Sequence, residues 1–276
     1  MTVTRGGGEL LPALAPLWEA LFDHHLSIGA AGIATIPRER SWPLRRAHYE
    51  RLLAEHRRVA VWLASDAAGP GGYALSYESD EPGPGGGGGR GTAAILETLS
   101  VLPRARGARL GSRLMDLADA EARAWGADLA VVNVMGGNER ARELYLRRGY
   151  APRSETWMRA RPAGEPAGPP APAGPAADPF ALAAAAGFDL ELTPGPDDTW
   201  STPDRIAGLT PSDGAAGRPD RAAFTRLCET LERAGLWAVQ VTVAAPPAAA
   251  AAREMLREAG FRVSTERLAR RLPPAD

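Results

Sequence analysis

Leu96-Glu97-Thr98-Leu99-Ser100-Val101-Leu102-Pro103, continued by Arg104-Ala105-Arg106-Gly107-Ala108-Arg109-Leu110-Gly111-Ser112, reads as a strand, a turn and the first residues of a helix. The strand begins at about Ala93. The helix places Leu110, Leu114, Leu117, Ala118 and Trp125 on one face and stops at Gly126. Ala130 to Val134 comes next as a second buried strand. A helix led by Asn138 then ends at Gly149, the residue type best suited to the left-handed conformation past a helix end. A turn feeding a helix N-terminus presents unpaired N–H groups and the positive end of the helix dipole, a setting for an anionic ligand. Small side chains at Gly107, Ala108 and Gly111 leave room for a diphosphate to approach the backbone, and Arg106 and Arg109 add charge.

Working outward, Leu10 to Leu26 repeats apolar residues at helical spacing, with Leu14, Leu17, Trp18, Leu21 and Phe22 on one side. Pro37 and Pro43 interrupt the next stretch, and a second helix is expected from about Leu44 to His56. Val59 to Ala64 and Tyr73 to Tyr77 flank a Gly-Pro-Gly turn and predict an antiparallel pair. The Pro/Gly loop from Asp80 to Gly91 is too flexible to be ordered without a partner. A last strand over Ala151 to Arg159 completes the unit. The succession ααβββαβαβ predicts an α+β fold, a mixed central sheet flanked by helices.

The chain has 276 residues and a formal net charge of −1, which removes the basic footprint of a nucleic-acid binder. No stretch is long and apolar enough to span a bilayer, and no start resembles an export signal, so a cytoplasmic protein is expected. Cys228 is the single cysteine, so an internal disulfide, a thiolate zinc cluster and a Cys-x-x-Cys pair are excluded. Lysine is absent, which excludes a Walker-type phosphate loop and a Schiff-base lysine. No metal site is expected, because His24, His25, His48 and His56 lack carboxylates at ligand spacing.

An Ala/Pro/Gly tract over residues 163–178 divides the chain into units 1–162 and 179–276. The second unit echoes the first at a shift of about 110 residues. Ile206-Ala207-Gly208-Leu209 lies under Leu96 to Leu99, Arg253-Glu254-Met255-Leu256 under Arg142 to Tyr145, Gly260-Phe261 under Gly149-Tyr150, and Glu266 under Glu155. The polar positions are lost: Glu97 becomes Ala207, Arg106 becomes Ala216, Asn138 becomes Ala249 and Tyr145 becomes Leu256. A smaller, degenerate α/β half-copy is therefore expected.

From Leu96 to Tyr150 the chain resembles the Gcn5-related (GNAT) N-acetyltransferases. Their phosphate turn reads Arg/Gln-x-x-Gly-x-Gly/Ala, and here Arg106-Gly107-Ala108-Arg109-Leu110-Gly111 stands in register, with Arg109 in place of the first motif glycine. The resemblance implies acetyl-CoA as co-substrate, held by Leu99, Val101, Arg106, Gly107, Ala108, Arg109, Gly111, Ser112 and Asn138. Asn138, a favoured N-cap in its own right, would also bond the pantetheine arm. Glu97 is implied as the base that takes a proton from a small-molecule or peptide amine, amides near Leu99 and Ser100 as the oxyanion site, and Tyr145 as the acid for the thiolate. Substituting Glu97 by Gln is expected to lower turnover most at acidic pH.

Two other classes compete with the enzyme: a CoA-binding sensor whose catalysis has lapsed, and an interaction scaffold. His24 or His25 at the acceptor cleft, the arginines from Arg38 to Arg58 as a recognition face, and Glu78, Asp80 and Glu81 as an amine attractant are minority readings beside solvated helix faces. The acceptor stays open, and so does pairing into a homodimer.

Overall fold

The computed structural model describes residues 1–28, 35–80, 92–160, 178–194, 199–200, 205–212, 220–236, 238–246 and 249–273. The chain opens with β1 (Thr2–Gly6), a 3-10 helix (Gly8–Leu14), α1 (Ala15–Ser27), α2 (Arg38–Glu55), β2 (Val59–Asp66) and β3 (Gly69–Ser79). Then come β4 (Ala93–Val101), α3 (Leu110–Ala124), β5 (Leu129–Met135), α4 (Glu139–Arg147) and β6 (Ala151–Arg159). The rest comprises α5 (Pro179–Ala186), β7 (Phe188–Pro194), β8 (Arg205–Pro211), α6 (Arg221–Arg233), β9 (Val239–Ala244), α7 (Ala250–Glu258) and β10 (Arg262–Arg271).

All ten strands form one mixed sheet in the order β1-β2-β3-β4-β5-β10-β6-β9-β8-β7. One face carries α3 to α7 over two apolar clusters, one around Leu114, Val132, Tyr145 and Leu268, the other around Phe188, Phe224, Val241 and Leu256. On the opposite face α1 and α2 cover β2 to β4 through Leu17, Tyr49, Val61, Tyr73 and Leu75.

The antiparallel pair β2–β3 forms as expected, with Val59 opposite Tyr77. Several expectations need correction. The first helix is 3-10 up to Leu14 and α-helical only from Ala15, because Pro16 suits the first turn of a helix and not its interior. Helix α2 begins at Arg38 and runs through Pro43. Proline there removes one backbone donor, and tertiary contacts hold the turn: Trp18 Nε1 donates to Ser41 Oγ at 2.9 Å, and Arg38 pairs with Asp23 at 2.9 Å. Strand β1 is an addition to the expected elements; its register against β2 sets Thr2 opposite Ser65.

The largest correction concerns β6, which does not complete the sheet beside β5. That place is taken by β10, with Thr265 opposite Met135, while β6 pairs with β9, with Ser154 opposite Ala244. The two last strands lie antiparallel to each other, with Glu155 directly opposite Glu266. Each carboxylate is met by an arginine of a covering helix, Arg142 on α4 with Glu266 at 2.9 Å and Arg253 on α7 with Glu155 at 4.0 Å. The Asp80–Gly91 loop falls outside the described residues except for Asp80. The tract over 163–178 does so except for Asp178, whose side chain caps α5.

Candidate active site

Strands β4 and β5 are parallel neighbours only from Ala93–Leu129 to Leu96–Val132. Beyond that pair both continue, to Val101 and Met135, without bonding each other, so the sheet opens as a wedge. The register of β4 against β3 slips at the same place: Leu96 faces Ser76 and Thr98 faces Leu75, leaving Glu97 as an extra, bulged residue. The bulge resets the alternation of the strand. Leu96 and Leu99 pack toward α3, whereas Thr98 bonds Tyr49 of α2 at 2.7 Å and Ser100 bonds the Leu17 carbonyl at 3.1 Å.

The turn after β4 ends at Arg109, which sits in the left-handed region (φ 56°) immediately before α3. This is where the motif glycine is replaced, and the backbone keeps a glycine-like shape at a cost of roughly 1–2 kcal/mol. Amides 107 to 112 find no backbone acceptor among the described residues. Helices α4, α5 and α6 begin with an Asn or Asp side chain that accepts from the first-turn amides, and α3 does not. A row of unpaired donors at a helix N-terminus suits the oxygens of a diphosphate.

A cleft of about 660 Å³ connects wedge, turn and α4. Leu99, Val101, Arg106, Gly107, Arg109, Gly111, Ser112, Asn138 and Tyr145 line it; Ala108 and Glu97 do not. Arg140 and Arg147, which sequence reasoning did not assign to the ligand, also line it, as does His24, the minority candidate for the acceptor cleft. Four guanidinium groups on one cleft favour a polyanion. Arg106 additionally donates to the Val101 carbonyl at 3.2 Å, which ties turn to strand. Asn138 Oδ1 accepts from the Ala141 amide at 3.3 Å, the capping role.

Tyr145 is buried, edge-on to Tyr150 with ring centroids 5.6 Å apart. Burial, and secondarily charge repulsion from the neighbouring Tyr150 phenol group, push its hydroxyl well above the usual phenol range, so it stays protonated at any physiological pH. Among the described residues its hydroxyl has no hydrogen-bond partner.

Glu97 points to the α2 side. Its Oε1 accepts from Arg45 Nη1 at 2.7 Å and contacts His48 Nε2 at 2.9 Å. Burial alone would raise its pKa, but the His48 hydrogen bond and the Arg45 charge outweigh that and hold the carboxyl below its ordinary value. Arg45 in turn stacks 4.0 Å over the Trp18 ring. Sequence reading missed Arg45 and His48 as partners of Glu97, although their spacing of three on one helix puts them on a common face. The lowered pKa keeps Glu97 the ionised partner of Arg45 and His48 at neutral pH.

No helix among the described residues is long and apolar enough to cross a membrane, and no group of three or more His, Cys, Asp or Glu is placed to hold a metal ion.

Residues 18–150 match the sequence model of the acetyltransferase (GNAT) family. A GCN5-related N-acetyltransferase from Sphaerobacter thermophilus is similar over the whole chain and 97% of its own length, at 17% identity and a TM-score of 0.56. Chaetomium thermophilum Naa20, solved with a bisubstrate analogue, is similar over 56% of this chain and 74% of its own, at 22% identity and a TM-score of 0.38. A ribosomal-protein-alanine N-acetyltransferase from Brucella melitensis biovar Abortus 2308 covers 54% of this chain and 91% of its own, at 19% identity and a TM-score of 0.38. No curated protein matches the sequence. The fold is that of the GNAT acetyltransferases.

Proposed function

We propose that this protein moves an acetyl group from acetyl-coenzyme A to a primary amine, by direct attack of the amine in a ternary complex. One observation carries the reading: unbonded amides, Asn138 and Tyr145 all address a single cleft that opens where β4 and β5 part. When bound, acetyl-coenzyme A supplies an activated thioester. Amides 107 to 112 would grip its diphosphate, with Arg106 and Arg109 adding charge, while Leu99, Val101 and Asn138 would flank the pantetheine arm.

An alkylamine of pKa about 10.4 is roughly one part in a thousand neutral at pH 7, so the acceptor needs a proton sink. Glu97 fills that role directly or through a water, with Arg45 and His48 keeping it anionic. The edge of β4 beyond Leu96 has no strand partner on the β5 side, which leaves backbone donors near Leu99 and Ser100 for the carbonyl oxygen. Tyr145, kept protonated by burial, gives its proton to the departing sulfur.

We read residues 1–162 as the catalytic unit and 179–276 as its degenerate half-copy. In support, α6-β9-α7-β10 follows the order α3-β5-α4-β6, and the arginine–glutamate contacts recur. At the start of α6 the Asp220 carboxylate accepts from the Ala222 and Ala223 amides at 2.9 and 3.0 Å. An internal anion thus occupies the place that α3 leaves open. We assign the protein to the cytoplasm.

The pairing of Glu97 with two basic side chains weakens it as a base, and this favours the lapsed sensor as second reading. Calorimetry with coenzyme A and acetyl-CoA-dependent thiol release across a panel of amines separate the cases. Binding with turnover is expected. Binding without turnover leaves the sensor, and no binding at millimolar coenzyme A overturns both.

A further inference from the structure

The face of the sheet opposite α3 to α7 is covered by α1 and α2 only over β2 to β4. Beyond them the central strands β5, β10, β6 and β9 turn polar side chains to a basin of about 360 Å³. Asn133, Ser154, Thr156, Gln240, Thr242 and Thr265 line it. The alternate positions on the same strands, such as Val132, Val134, Leu268, Trp157 and Val241, are core. A buried sheet face would have carried apolar residues at these sites too.

The basin adjoins the wedge. Leu96–Val132 is the last bonded pair of β4 and β5, so Glu97 and Asn133 are the next residues on either side of the opening. Both lie on the face away from α3: Ile95 and Val131 share one cluster there, and Asn133 follows Val131 by two positions. On its far side Trp200 closes the basin, held to the α1–α2 connection by the Thr35–Trp200 bridge and by the Ile36 amide donating to the Thr199 carbonyl at 3.2 Å.

Residues of both units therefore share this lining, and its chemistry is specific. Thr156 and Thr242 hydroxyls are 3.3 Å apart, while the side chains of Asn133, Ser154, Gln240 and Thr265 have no partner among the described residues. Hydroxyl and amide groups donate and accept alike, an aromatic ring stands at the rim, and among the described lining residues Arg267 is the one charged group. A polyamine would find no carboxylate among those residues to pair its extra ammonium groups. A ligand with many hydroxyls would find complementary neutral partners.

We propose that this basin seats the acceptor, and that the acceptor is a hydroxyl-rich monoamine of the amino-sugar or aminocyclitol class, its amine directed toward Glu97. The inference rests on the acetyltransferase reading and adds to it that strands of the second unit select the substrate.

The test compares glucosamine, cyclohexylamine and spermidine in thiol release, using the full chain and its Gln240→Leu, Thr242→Val and Trp200→Ala variants, with thermal unfolding as the folding control. Glucosamine should exceed both other amines in kcat/KM by at least about tenfold, as two or three lost hydrogen bonds imply. Gln240→Leu and Thr242→Val should raise its KM by about tenfold while leaving acetyl-CoA affinity unchanged. Preference for cyclohexylamine or spermidine, or an unmoved KM in folded variants, overturns the proposal while the acetyltransferase reading stands. Should no amine turn over, ligand-observed NMR with glucosamine decides: saturation transfer that Thr242→Val abolishes supports the basin, and its absence in the unsubstituted protein refutes it.

Discussion

Tyr145 and Glu97, the proposed acid and base, sit in opposite environments. Tyr145 sits among apolar groups that penalise its anion, whereas Glu97 sits between two donors that favour its own. Tyr145→Phe removes only the hydroxyl, so kcat is expected to fall by about 10²-fold with acetyl-CoA affinity unchanged in calorimetry. Equal activity in the two proteins would leave Tyr145 as packing. Glu97→Gln is expected to cost ~10²-fold in kcat, with the deficit greatest toward pH 6, where the amine is most protonated and Glu97 is still ionised. A deficit that shrinks toward pH 6 would show that Glu97 takes up a proton there and is not held down by Arg45 and His48. His25 behaves differently again. Burial, with the charges of Arg45 and His24, lowers its pKa to about 4, and its Nδ1 is buried without a partner. The unfolded chain therefore binds a proton near pH 6.5 that the folded chain refuses until about pH 4, so stability falls as the pH drops through that window, by at most about 3 kcal/mol. Replacing His25 with Phe should flatten the denaturation midpoint between pH 6.5 and pH 4, and an unchanged acid sensitivity would remove His25 as its source.

At the level of elements, what could be read from the sequence was what local chemistry dictates. The α3 face, the Asn138 cap and the helix stop at Gly149 (φ 80°) are written in residue type and spacing. The course of α2 through Pro43 was not, because distant partners on α1 decide it. The Glu97 bulge was equally hidden, since one extra residue in a strand leaves no periodic trace until the neighbour's register is known. A similar long-range constraint fixes Gly136, which lies just past β5. Its amide donates to the Ser264 carbonyl at 2.8 Å, and a Cβ there would run into the Val263 carbonyl of β10. Gly136→Ala should destabilise by about 2 kcal/mol in urea unfolding, by forcing β10 away from β5. A change below about 0.5 kcal/mol would mean that the strands part without strain.

For the whole molecule, the repeat expected at a shift of about 110 residues proposes equivalent positions but not how the pieces interlock. On that reading β6 and β10 correspond, and both satisfy the same apolar pattern. Only the pairing of β10 with β5 and of β6 with β9 reveals that each last strand lies in its counterpart's place. A fragment ending at residue 162 therefore loses the strand beside β5 and leaves β6 without either neighbour. It is expected to elute as aggregate in size exclusion and to show no cooperative melt, whereas a monomeric fragment with a sharp transition would mean that β6 can fold back beside β5.

The exchange also constrains descent. If the second unit is the degenerate duplicate we propose, it would ordinarily be free to be deleted, yet its last strand holds a plank of the other half's floor. Deletion would then cost the survivor its own integrity, and the passenger would be kept as a hostage of topology long after its reactive groups had gone.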